Sequence, residues 1–263
     1  MSSKHQDCWK FLDDLHINVY CICLKERDDR YLSACKALSQ VGLLSRTLFH
    51  RPRKHNKGYV GCWQSHLSCI QHSYKHGNKA ALIFEDDIMF TENWKDQLVN
   101  IQTFLEKEPD WNLFRIGSYV LKYWDAATST DNVWRASVVQ THAYFVHHSY
   151  MKALLHSRSP KFVNHIDAYY NHSTTKDYAL LNLIVYQDAK LGSDNLWNFK
   201  FKGINIDFGL ITQKAAQQFI DFEQLQKANN FVAYYLRYLP KEYRFYTLPN
   251  IIHHQIEEPV LLL

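Results

Sequence analysis

The sequence predicts an α/β fold, a mostly parallel sheet flanked by helices, on three observations. Two short apolar runs, residues 17–24, broken only by Asn18, and the uninterrupted 80–84, have the length and composition of buried strands. Segments with helical apolar spacing alternate with such runs through the first half of the chain, the pattern of successive β-α-β units. The second run ends abruptly in Glu85, Asp86 and Asp87, acids placed at a strand's carboxyl end, where open α/β sheets bind their ligands.

The first strand, 17–24, runs into the charged cluster 25–30, where Asp28 or Asp29 is expected to cap a helix. Its apolar positions Tyr31, Leu32, Cys35, Leu38 and Val41 follow the helical period, and Gly42 closes it. Residues 43–49 are expected to return as a strand. The basic loop 50–58 leads to a helix marked by Cys62, Trp63, Leu67, Ile70 and Tyr74 that stops at Gly77. The strand with the acids comes next, then an amphipathic stretch over 92–107 and a strand over 111–116 ending at Gly117. From 119 to 134 the chain reads as a polar loop, succeeded by short β-type runs at 136–139 and 142–146 and a helix over about 149–156. The change of character near Tyr119 suggests a nucleotide-binding half, to about 118, giving way to a half that shapes an acceptor site.

Composition narrows the classes. The chain has 263 residues, 46% of them apolar and 15% aromatic, enough for a substantial core and too apolar for disorder. A net charge of +4, with basic residues spread out except around 51–57, argues against a dedicated nucleic-acid binder. No segment approaches the roughly 18 apolar residues of a membrane span, and the amino terminus has no apolar core of leader length, so a cytoplasmic location is expected. The six cysteines are expected to be free and mostly buried: Cys21 with Cys23, and Cys62 with Cys69, lack zinc-site spacing.

Three adjacent carboxylates repel one another and lose solvation when buried. A hard divalent ion taking oxygen ligands, manganese or magnesium, removes both penalties. The competing reading is a solvated turn, with Thr91 capping the next helix. Arg27 and Arg30 fall near the end of the first strand, where they would meet an anionic nucleotide or else decorate the surface. Ser65 and His66 are adjacent on a helix and point in different directions, which disfavours a catalytic dyad.

The 18–30 segment, Gly61-Cys62-Trp63-Gln64-Ser65-His66, Phe84-Glu85-Asp86-Asp87-Ile88, Phe114-Arg115-Ile116-Gly117, Thr141-His142-Ala143-Tyr144-Phe145-Val146 and Ile166-Asp167 occur in an order that resembles the lipooligosaccharide and collagen β-galactosyltransferase family, glycosyltransferase family 25. The resemblance covers residues to about 195. The pairing of the Gly-Cys-x-x-Ser-His block with the Glu-Asp-Asp block is its most specific part. It implies a GT-A, Rossmann-like fold, a UDP-sugar donor, galactose or glucose favoured, a manganese-type ion and inversion at the anomeric carbon. It also implies an acceptor hydroxyl on a glycan, glycolipid or hydroxylated protein.

Departure of a nucleoside diphosphate leaves negative charge on the phosphates and an oxocarbenium-like sugar, so a cation and a base are both required. Asp87 is the expected metal ligand, with Glu85 able to share its side by strand alternation; Glu85 or Asp86 contacts the ribose or metal waters. Asp167, matching a late family aspartate, is the candidate base and equally a helix-capping residue. Asp194 matches a family Ser-Asp segment and joins Arg27, Arg30, Ser65 and His66 as donor-binding candidates. A late histidine often completes GT-A metal sites, and His142, His147, His148, His165, His172, His253 and His254 are all candidates. The family commonly has a Gly-Thr-x-Ala-Tyr type stretch where this chain carries Gln140-Thr141-His142-Ala143-Tyr144, so the larger His142 is expected to narrow or remodel the sugar pocket, which leaves the donor open.

The transferase domain is expected to span 1–210. Residues 211–263 are expected to form an aromatic helical extension whose stripe, from Phe219 to Tyr238, suits core packing or a homodimer interface. Two other classes compete with the transferase. A GT-A-like module without turnover would bury the acids or fill the donor cleft. A glycoside hydrolase would set paired carboxylates about 5 to 9.5 Å apart and need no nucleotide.

Overall fold

The computed structural model describes residues 7–156, 166–188, 191, 199–201 and 204–206. Asp194, His165, His253, His254 and the expected extension 211–263 lie outside the described residues, and at His172 the backbone alone is described. A six-stranded sheet organises the rest. Its strands are β1 (Ile17–Ile22), β2 (Thr47–His50), β3 (Ala80–Glu85), β5 (Leu113–Ala126), β6 (Val133–His147) and β7 (Asp177–Leu180), in the order β2-β1-β3-β6-β5-β7. A short β4 (Ile88–Phe90) pairs antiparallel with β8 (Val185–Gln187) beside it.

The reason β3 is apolar throughout is that the sheet is covered on both sides. Ala80, Leu82 and Phe84 belong to one core, with α1 (Lys10–Asp14), α2 (Asp28–Gln40) and α4 (Leu98–Lys107) packed over it. Ala81 and Ile83 belong to the opposite core, under α3 (Gly58–Lys75), α5 (His148–His156) and α6 (Ile166–Ser173). Strand alternation thus sends successive β3 residues into different cores, and all five are completely buried. Helices on both faces of a central sheet make the three-layer α/β architecture of a Rossmann-like GT-A domain.

The sheet is mixed. β1 runs parallel to β2 and β3, and β5 parallel to β7, while β6 is inserted antiparallel to β3, β5 and β7. The chain passes from β1 through α2 to β2 on one side, then through α3 to β3 on the other. Strand order therefore reverses at β1, and Ile22 lies level with Glu85 at the carboxyl edge. A crevice at such a reversal is where open α/β sheets take ligands.

Several local expectations are corrected. The polar loop expected over 119–134 is a hairpin of two long strands, β5 and β6, twisted and irregular at several registers. Polar residues sit in it because its outer part is covered on one face by a small cluster including Val120, Tyr123, Ala136 and Val138. Asp28 and Asp29 occupy the first turn of α2 and favour its dipole, but the N-cap is Arg27, with no capping side-chain hydrogen bond. Thr91 caps nothing through its side chain: Asn93 precedes the 3-10 turn Trp94–Gln97, which leads into α4. A second 3-10 turn, Leu44–Arg46, replaces the start of the expected returning strand. The expected helix ends hold, with Gly42 and Gly77 at φ of +79° and +68°, values that suit glycine just past a helix terminus.

Candidate functional site

The acids occupy the strand-order reversal. Strand geometry stops at Glu85, and Asp86 and Asp87 form a turn in which both side chains swing toward α2. The alternation expected to put Glu85 and Asp87 on one side therefore does not govern them. Arg30, in the first turn of α2, meets the two aspartates with separate nitrogens: Nη1 donates to Asp86 Oδ1 and Nη2 to Asp87 Oδ2, both at 2.8 Å. Arg30, Asp86 and Asp87 are only 6%, 5% and 8% exposed, so the solvated-turn reading fails. Gln187, held beside Asp87 by the β4–β8 pairing, donates its amide to the same carboxylate at 3.3 Å.

Arg30 brings one positive charge to a turn with three carboxylates among the described residues. Burial pushes the Asp87 carboxyl up, Arg30 pulls it down, and Glu85 and Asp86 push it up again, to about 7. A carboxylate in that state favours added positive charge, and the carboxylate oxygens of the turn are the ligand type a hard divalent ion takes. Asp87 thus offers the oxygen chemistry of a ligand for the manganese or magnesium that the resemblance implies.

Glu85 turns the other way. Its Oε1 accepts from Thr141 Oγ1 at 2.7 Å and lies 3.4 Å from His66 Nε2. Burial alone would raise this carboxyl, but His66 and Thr141 outweigh burial and hold it near 2. Thr141 arrives through a bulge in β6. Gly117 pairs with Ala143 and Tyr119 with Val139, so four residues' advance on β6 faces two on β5. Gln140, in the bulge, has φ of +73°, a conformation uncommon for a residue with a Cβ and often found at functional sites. Its backbone N–H donates to Asp167 Oδ2 at 3.3 Å, which brings the candidate base on α6 to the bulge.

His142 does not line an open pocket as expected. Its ring is completely buried, with Nε2 3.4 Å from the Val185 carbonyl. Gly117 makes the space: a Cβ there would lie 2.7 Å from Val185 Cβ and 2.9 Å from His142 Cδ2. Burial lowers His142 to about 4, so it stays neutral. His147 and His148 are bonded at the opposite end of β6, to Ser149 and to the Asn78 carbonyl, away from the acids.

The structure thus gathers Arg30, Glu85, Asp86, Asp87, His66 and Asp167 around one strand edge. Ser65 faces its own helix, donating to the Gly61 carbonyl at 2.6 Å. Arg27 pairs with Asp29 and donates to the Leu191 carbonyl. Three neighbours escaped sequence reasoning: Thr141, Gln187 and Cys62. For Cys62 a signal existed, a Cys-x-x-x-His step that puts Cys62 and His66 on one helix face.

Residues 45–234 match the model of Glycosyltransferase family 25 (LPS biosynthesis protein). A human relative named "Inactive glycosyltransferase 25 family member 3" is 36% identical over 62 residues, 23% of this chain and 10% of the relative. The bovine counterpart, "Probable inactive glycosyltransferase 25 family member 3", matches to the same extent, so the chain spans about a tenth of the length of these curated relatives. Among solved structures, A197 from STIV is similar at 13% identity with a TM-score of 0.40, over 66% of this chain and 85% of that one.

Proposed function

Since the chain belongs to glycosyltransferase family 25, we propose that it moves a hexose, galactose or glucose, from a UDP-sugar to an acceptor hydroxyl with inversion, assisted by a divalent cation. The observation that carries this reading is the buried, under-neutralised acid turn at the strand-order reversal. Glu85 and Asp87 would hold the ion, which would supply positive charge to offset the leaving diphosphate. Arg30 fixes Asp86 and Asp87 in place through its two hydrogen bonds and adds a permanent charge on the α2 side.

Asp167 would take the acceptor's proton as the hydroxyl oxygen bonds to the anomeric carbon and the bond to the diphosphate breaks. The Gln140 N–H positions that carboxylate. Thr141 and His66 keep Glu85 ionised and oriented.

A specific observation also favours a reading without turnover. Arg30 already pairs with two of the three acids, and the human and bovine relatives are named inactive. Calorimetry separates the two. The transferase reading expects UDP binding that strengthens with manganese, and then UDP release from a UDP-hexose; UDP binding indifferent to manganese, without hydrolysis of any UDP-sugar, would overturn it.

A further inference from the structure

Next to the acid turn, on its α3 side, lies a second group of ligand-type atoms. Cys62 Sγ, a nitrogen of His66 and a carboxylate oxygen of Glu85 all lie within 4.8 Å of one another. Cys62 and His66 are four residues apart and share the face of α3 that looks onto the end of β3. Glu85 closes the triangle from the strand.

His66 is the independent witness. The residue is 1% exposed, and its Nε2 makes no well-formed hydrogen bond: its one polar neighbour is Glu85 Oε1 at 3.4 Å, long for a hydrogen bond. Buried nitrogens rarely stay unsatisfied. Its other nitrogen, Nδ1, is 2.9 Å from the Tyr144 hydroxyl, which is in turn 3.0 Å from the Tyr170 hydroxyl. With a cation bound, Nδ1 would donate to Tyr144 and Tyr144 to Tyr170, turning the Nε2 lone pair to the ion; without one, the ring faces Glu85 with its Nε2–H, which is what lowers that carboxyl. A histidine ligand oriented by an oxygen on its far nitrogen is the usual arrangement in metal sites.

We propose that Cys62, His66 and Glu85 form a binding site for a borderline-soft divalent cation of the zinc class, distinct in chemistry from the carboxylate turn around Asp87. The donor set is one sulfur, one nitrogen and one oxygen, which suits zinc or cobalt and not magnesium. The 3.4 Å between His66 Nε2 and Glu85 Oε1 equals the edge of a tetrahedron with bonds of about 2.1 Å. As the sulfur–metal bond forms, the thiol proton leaves to solvent. Three protein ligands leave a fourth position for water or another small donor. Because Glu85 serves both sites, occupancy here takes that carboxylate from the harder ion, and zinc competes with manganese. The site itself does not depend on the chain turning over any sugar.

Cobalt(II) is the probe. Titrating the whole chain with Co²⁺ is expected to produce a thiolate-to-cobalt charge-transfer band in the near ultraviolet and intense visible bands of a four-coordinate ion, saturating at about one equivalent and bleached by Zn²⁺. Cys62→Ser should lose the charge-transfer band, while Cys8→Ser, at the exposed thiol, should keep it. Tyr144→Phe removes the far-side oxygen and should keep the band while weakening Co²⁺ binding on the order of 10- to 100-fold. Circular dichroism of each variant verifies the fold. Absence of the band in the folded parent chain, or its persistence in Cys62→Ser, overturns the site whatever the outcome of the UDP experiments.

Discussion

Among the described residues, Arg30 and Arg115 are the buried arginines, and they differ in what surrounds them. Arg115 meets one carboxylate, Asp177, through Nε and Nη2 at 2.9 and 2.7 Å; its Nη1 donates to the Gln140 carbonyl at 3.4 Å, and the rings of Tyr144 and Tyr170 lie 5.0 and 5.2 Å from its guanidinium. One charge answers one charge, and the fork geometry is complete. Arg30 instead divides its nitrogens between Asp86 and Asp87, with Glu85 close behind. Burial raises both Asp177 and Asp87, and arginine opposes it in both places, but Asp87 also feels two neighbouring carboxylates. The first arrangement fastens β5 to β7 and has no further use for a cation. The second is held together by arginine and still asks for more positive charge.

Removing each arginine should expose that difference most strongly. Arg115→Met leaves Asp177 buried and alone, and is expected to cost about 3–5 kcal/mol in urea unfolding, with no recovery on adding manganese. Arg30→Met should cost about as much in metal-free buffer, because three acids then crowd one turn, but manganese should restore part of the loss. Equal behaviour of the two variants toward manganese would erase the distinction.

The aspartates give the next largest contrast. Asp177→Asn should cost about 2–4 kcal/mol, since it strips Arg115 of its counter-charge. Asp87→Asn should leave the melting temperature unchanged or higher, because Arg30 keeps Asp86 and like-charge crowding is relieved, while manganese-dependent turnover is abolished. A folded Asp87→Asn chain with full turnover would remove Asp87 from the ligand set.

The smallest effect is a pH slope. Asp87 in the folded chain lies at about 7 against an ordinary 3.8, so between those values the folded state holds more protons than the unfolded one. Stability contributed by this group therefore falls as pH rises from about 4 to about 7. Asp87→Asn lacks the slope, and denaturant titrations at pH 5 and pH 8 should show the variant gaining on the parent by up to a few kcal/mol at the higher pH. A gain at the lower pH would contradict the sign.

The same contrast explains what could be read from the sequence. β1 and β3 were legible because burial on both faces demands a continuous apolar run, and the end of β3 stood out because three acids interrupt it. The β5–β6 hairpin was not. Its outer half covers one face only, so residues such as Trp124 and Asp125 lie in a strand while facing solvent, and a polar strand reads as a loop. Arg115 and Asp177, 62 residues apart, gave no local sign of their pairing. Arg30 gave an ambiguous one: among Asp28 and Asp29 it suited either a nucleotide or the surface, whereas the fold turns it inward to acids 56 and 57 residues away. The β6 bulge depends on strand register, which hydrophobic patterning does not encode where the residues are Gln140 and Thr141.

The most direct test of the under-neutralised acid turn is a manganese titration monitored by electron paramagnetic resonance, in which only the free aqueous ion gives its sharp sextet. With saturating UDP, the parent chain should remove about one equivalent of Mn²⁺ from the signal and the Asp87→Asn chain essentially none. A sextet undiminished by the parent, or diminished equally by Asp87→Asn, would contradict a divalent-ion site built on that turn.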